Sequence, residues 1–131
     1  MQDYRGPERR RFQREKAHFL INFAITQPPE VIMRVGQKSV EAVMLDLSEG
    51  GLALVGVHEV SPGAKVEMKW TLINPHAVAE DRIRDFILSG EVRDCTMLKD
   101  HEYRLGITFL DAGGGDRKAI REFVAANRRK E

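Results

Sequence analysis

Two short runs in this 131-residue chain combine residue types that can do chemistry. The first is Arg10-Arg11-Phe12-Gln13-Arg14, where two arginines stand four apart in a basic stretch that also holds Arg5, Arg9 and Lys16. Guanidinium groups bond bidentately to phosphate and to the O6/N7 edge of guanine, and they stack on flat rings. The second run is Asp46-Leu47-Ser48-Glu49-Gly50-Gly51. A carboxylate at Asp46 can accept from the N1–H and N2–H₂ edge of a guanine. Ser48 can donate to a phosphate or to the local backbone. Gly50 and Gly51 close the turn, and Gly51 permits either a positive φ or close backbone approach to a ligand. Together these groups suit an anionic nucleotide. Each run also has a plainer reading: a solvated basic tail for the first, an ordinary Asx or Ser turn for the second.

The elements that must carry these groups follow from hydrophobic periodicity. Residues 1–16 read as a polar, flexible basic arm and residues 17–131 as the folded body. Phe19, Ile21, Phe23 and Ile25 alternate as a half-buried strand that Pro28-Pro29 ends. Val31, Met33 and Val35 alternate as a second short strand. Further strands are expected over 40–47, 52–57, 66–73, 86–92 and 103–110, with a turn at Ser61-Pro62-Gly63. Residues 74–85 read as a surface excursion. Asp116 is the expected N-cap of a closing helix with Ile120, Phe123 and Val124 on one face. Frequent turns between short strands indicate a mainly β, antiparallel barrel. Its expected interior holds Phe19, Ile21, Val43, Leu45, Leu52, Leu54, Val66, Ile87 and Ile107.

Composition narrows the function. The chain is 42% hydrophobic and carries 21 Lys+Arg against 20 Asp+Glu, a net charge of +1. A core is affordable in size, and a basic surface for coating a nucleic-acid polymer is not indicated. Cys95 is the single cysteine, so no internal disulfide is expected, which fits a cytoplasmic protein. No signal peptide and no membrane-spanning run are read. His18, His58, His76 and His101 lack metal-ligand spacing, so no metal and no cofactor are expected. Ser48 stands in no G-x-S-x-G elbow, and the chain is expected not to be an enzyme.

In combination, Arg10-x-x-x-Arg14 and Asp46-x-Ser48-x-x-Gly51 resemble the two motifs of the PilZ domain family. Gly90-Glu91-Val92-Arg93 and Leu105-Gly106-Ile107-Thr108-Phe109 are similar to its later strands. The resemblance runs over residues 9 to about 125. It implies a six-stranded antiparallel β-barrel with a C-terminal α-helix that binds cyclic di-GMP, the arginine segment wrapping over the ligand on the barrel's outer surface. By position it implies that Arg10 and Arg14 contact guanine edges and phosphates, that Asp46 and Ser48 read a guanine, and that Gly51 lets the backbone approach. It further implies that Arg9 supports a stacked ligand dimer, with Arg11 adding charge. Some members stack an aromatic on a base late in the barrel; Glu91 or Arg93 stands there in this chain, and Arg93 can stack by its guanidinium plane or remain a surface charge. The expected function is a receptor that passes ligand level to a protein effector by ordering its N-terminal arm. The alternative is an interaction adaptor of the same fold that does not bind nucleotide.

Overall fold

The computed structural model describes residues 15–35, 39–74 and 82–129, so Arg9, Arg10, Arg11 and Arg14 lie outside the described residues. The described elements are β1 (Glu15–Gln27), α1 (Pro29–Val35), β2 (Val40–Ser48), β3 (Gly51–Gly56), β4 (Lys65–Ile73), β5 (Ile83–Lys99), β6 (Glu102–Phe109) and α2 (Gly114–Arg129). The six strands close into a barrel in the order β1-β2-β3-β6-β5-β4, every neighbouring pair antiparallel. The mainly β barrel with a C-terminal helix expected from periodicity is the fold observed.

Alternation drives the closure. On β4, Val66, Met68, Trp70 and Leu72 point inward, while Lys65, Glu67, Lys69 and Thr71 line the outside. Trp70 stacks between Phe86 and Phe109, with ring centroids 5.0 and 6.0 Å away. This aromatic layer fills much of the barrel's interior. Helix α2 presents Ile120, Phe123 and Val124 to the core, and Phe123 meets Phe19 on β1 at 5.7 Å. Burying a side chain such as Phe123 is worth about 1.5–3 kcal/mol, enough to dock a helix whose other face is charged. Gly63 has φ 95°, which makes glycine the fitting residue at the expected Ser61-Pro62-Gly63 turn.

The structure corrects several expectations. Residues 31–35 are not a strand; they belong to α1. Pro29 starts that helix, where its missing N–H costs nothing, and Val31 and Ile32 donate to the Pro28 carbonyl. Val31 is buried and Met33 exposed, so the three-residue alternation was a helical pattern too short to tell apart. Val43 and Ile87 lie outside, 38% and 61% exposed. Their neighbours Ala42, Met44, Phe86 and Leu88 take the interior instead. A period of two means that a one-residue slip exchanges faces, and apolar runs leave that choice open. Leu45 is only half-buried because the β2 register shifts beside it. Phe19 is also half-buried, packed against the core from its edge.

Residues 83–85, read as excursion, extend the β4–β5 ladder to the pair Ile73 and Ile83, and Thr71 Oγ1 donates to Asp85 at 2.6 Å. Likewise β5 runs on to Lys99, and only Asp100-His101 turn the chain into β6. Helix α2 begins at Gly114, so Asp116 sits within its first turn, where its carboxylate binds Arg84 at 2.9 Å. An acidic residue there also complements the helix dipole.

Gly51 yields a test of this packing. A Cβ added there would collide with the Ile107 carbonyl on β6, a backbone atom that cannot swing away. Gly51→Ala should destabilise the barrel by about 1–3 kcal/mol, as overpacking does. Urea unfolding should show a lower midpoint with an unchanged slope.

Candidate functional site

The turn after β2 is built from its own residues. Ser48 pairs with Gly51, leaving Glu49-Gly50 as the connection. Ser48 is 3% exposed, and its Oγ accepts from the Gly50 N–H at 3.3 Å and donates to the Gly51 carbonyl at 3.3 Å. Of the two uses read for this hydroxyl, these bonds are to the backbone. The Gly50 carbonyl accepts from Phe109 at 2.9 Å, tying the turn to β6. Gly51 lacks a positive φ; the residue crowding it is Ile107 of β6, so a strand's close approach demands glycine here.

Asp46 reaches the outer face through a register shift between Met44 and Asp46. Such a bulge inserts one residue and redirects the side chains that follow. Asp46 then lies between Lys16 of β1 and Ala53 of β3. Arg104 of β6 brings its guanidinium to 3.8 Å from the Asp46 carboxylate and to 3.9 Å from Asp94 of β5. Between these groups Ala53 is paired directly with Gly106. Asp46, Arg104 and Asp94 thus form one charged cluster across β2, β6 and β5.

Arg93 sits at a second register shift, between Val92 and Asp94. Its Nε donates to Thr108 Oγ1 at 3.3 Å, and its Nη1 lies 3.7 Å from Glu91. Thr108 is the strand partner of Gly51. The structure thereby sets Arg93 one residue pair away from the turn, with its guanidinium oriented on the outer face.

Glu49 connects the turn to α2. Its carboxylate accepts from Arg121 at 2.9 Å, and its carbonyl accepts from Arg117 at 3.4 Å. The hydrogen bond and charge of Glu49 raise the Arg121 pKa further above its ordinary range. Arg117 and Arg121, one helical turn apart, thus hold the turn from below.

Five of these residues escaped the sequence reading: Glu49, Asp94, Arg104, Arg117 and Arg121. For Arg104 a signal existed. Alternation through Arg104-Leu105-Gly106-Ile107-Thr108 buries Leu105 and Ile107 and so puts the arginine outside beside a glycine. Asp94 had none, since its direction depends on the bulge. The arginine motif lies outside the described residues, and the strand that follows it is described. Arg14 is bonded to Glu15, and Glu15 pairs with Leu47 while Lys16 pairs with Asp46. The chain therefore enters the barrel alongside the Asp46 turn. Among the described residues no group of three His, Cys, Asp or Glu is placed to hold a metal, and no helix is long and apolar enough to cross a membrane.

Known proteins share this architecture. The inhibitor of motility MotI/DgrA of Bacillus subtilis superposes with a TM-score of 0.71 at 16% identity, covering 95% of this chain and 53% of that one. This chain therefore spans about half the length of that relative. The PilZ domain of YcgR from Escherichia coli, solved with c-di-GMP, gives 0.60 at 14% identity, covering 94% of this chain and 95% of that one. The MrkH–c-di-GMP complex of K. pneumonia gives 0.60 at 16% identity, covering 95% and 56%. No curated protein sequence matches the chain. At these identities the likeness establishes the fold, and the sequence itself carries the kinship: the PilZ domain model matches residues 8–126, and the chain belongs to the PilZ domain family.

Proposed function

We propose that this chain is a cyclic di-GMP receptor that acts by binding, without catalysis, and signals to a protein effector. The observation that carries the reading is the junction at β1. Pairing of Glu15 with Leu47 and of Lys16 with Asp46 brings the end of the arginine segment to the carboxylate turn. The strand that directly follows the first motif thus joins the barrel beside the second. Solved PilZ structures of YcgR and MrkH with c-di-GMP support the ligand class.

In this reading residues 1–16 form the arm and residues 17–131 the body. Arg10 and Arg14 bind phosphates and guanine edges, with Arg9 and Arg11 adding positive charge for a second, stacked ligand. Asp46 accepts from a guanine edge. Ser48, Gly50 and Gly51 shape the turn that presents Asp46. Arg93 offers a guanidinium plane to a base. The arm is ordered by the ligand, and the effector distinguishes the ordered from the free arm.

Isothermal titration with cyclic di-GMP tests the reading, and absence of binding would overturn it. Losing a charge-assisted bidentate contact costs on the order of 2–4 kcal/mol, so Arg10→Ala and Arg14→Ala should each weaken binding by about thirtyfold or more. Arg128→Ala, in the C-terminal basic cluster, should leave affinity nearly unchanged; equal losses at all three would mean that only bulk charge matters. Arg9→Ala should lower ligand stoichiometry before it abolishes binding. Hydrogen exchange should show the arm ahead of β1, residues 1–14, protected only when ligand is present, and equal protection in both states would rule out the arm as the switch.

A further inference from the structure

We propose that Asp94 is a second purine-reading carboxylate of the same site, facing the ligand's second base and selecting guanine there. The proposal rests on the cyclic di-GMP reading above and extends it to specificity.

Three features of the barrel's outer face converge on Asp94. The first is the bulge in β5. Val92 pairs with Ile107 and is fully buried, and strict alternation would turn Asp94 inward after it. The register shift prevents this, so Arg93 and Asp94 both lie outside, with Asp94 60% exposed. Asp46 is delivered by the corresponding shift in β2. Two strands that are not neighbours thus spend one bulge each to set a carboxylate on the same face.

The second feature is Gly106. A Cβ there would stand 2.7 Å from Asp94 Oδ2 and 3.1 Å from its Cγ. The Asp94 carboxyl therefore rests flat over β6 in the space that a side chain would take. The absence of a side chain at Gly106 is what leaves room for the carboxyl there.

The third is Arg104. One guanidinium lies 3.8 Å from Asp46 and 3.9 Å from Asp94. At those separations it balances both charges by Coulomb attraction, without a short hydrogen bond to either oxygen. Two unbalanced carboxylates would repel a doubly anionic ligand. Arg104 stands between them and offsets that repulsion, and Asp94, 60% exposed, keeps lone pairs turned to solvent. Arg104 is accordingly a positioning residue.

The chemistry selects the base. A carboxylate matches the N1–H and N2–H₂ donors of guanine, whereas adenine offers an acceptor at N1 and no amino group at C2. A cyclic dinucleotide has two bases. With Asp46 on one and Asp94 on the other, a ligand with a single guanine should satisfy only one carboxylate and leave the other facing an acceptor.

The experiment titrates wild type, Asp94→Ala, Asp94→Asn and Asp46→Ala with cyclic di-GMP and with the mixed cyclic GMP-AMP. Wild type should prefer cyclic di-GMP by about tenfold or more. Asp94→Ala should weaken cyclic di-GMP about tenfold while changing the mixed ligand little, so that the preference largely disappears; a purely structural role would shift both ligands together. Asp94→Asn preserves the shape over Gly106 and should also narrow the preference, which guards against a folding defect in the alanine variant. An unchanged preference in both Asp94 variants, with Asp46→Ala weakened, would overturn the role of Asp94 and leave the receptor reading intact. Failure of wild type to bind either ligand would overturn both.

Discussion

In a closed six-stranded barrel each strand has an inside and an outside but no free edge, and strict alternation assigns every residue to one of them. That constraint shapes everything else in this molecule. It gathers the aromatic layer of Phe86, Trp70 and Phe109 into the interior. It also means that two consecutive residues cannot share the outer face unless the ladder is broken. Both carboxylates beside Arg104, Asp46 and Asp94, stand at such breaks. Bulges cost pairing locally, and here they accompany the polar groups that the alternation would otherwise have buried.

Glycine plays a part set by the same closeness of strands. Gly51 is crowded by the Ile107 backbone, Gly90 by Ile107 and Met68, and Gly106 by the Asp94 carboxyl. The glycines of the D-x-S-x-x-G turn and of the later strands thus reflect how tightly β3, β5 and β6 approach one another around one patch. At Gly106 the same lack of bulk makes room for the Asp94 carboxyl.

The ion pairs around the site do a different job from the core. Arg104 with Asp46 and Asp94, Arg93 with Glu91, and Arg121 with Glu49 are all at or near the surface. Exposed pairs contribute little to stability. Their value is in direction: Arg121 and Arg117 hold the Glu49 turn against α2, while Arg93 is held by Thr108. Burial of Phe123 against Phe19 fixes the helix, and the arginines then register the turn upon it.

Local sequence determined the element types, the family motifs and the turn chemistry. The Ser61-Pro62-Gly63 turn, the Ser48 turn and the amphipathic α2 were legible because each depends on residues a few positions apart. The face of a strand was legible where polar residues alternate with apolar ones, as in β4. It was not legible in Ile83–Lys99 or Val40–Ser48, where Val43 and Ile87 are apolar yet outside, because tertiary packing decides which of two apolar sets faces the core. Helix α1 was misread because three apolar residues are too few to fix a period, and in the helix Met33 falls on the side opposite Val31. Asp94 and Arg104 became site residues only through the bulge in β5 and the pairing of β6 with both neighbours. Those are long-range events: a one-residue shift in register moves a carboxylate from the inside of a barrel to its surface, and nothing within a few residues of Asp94 records it.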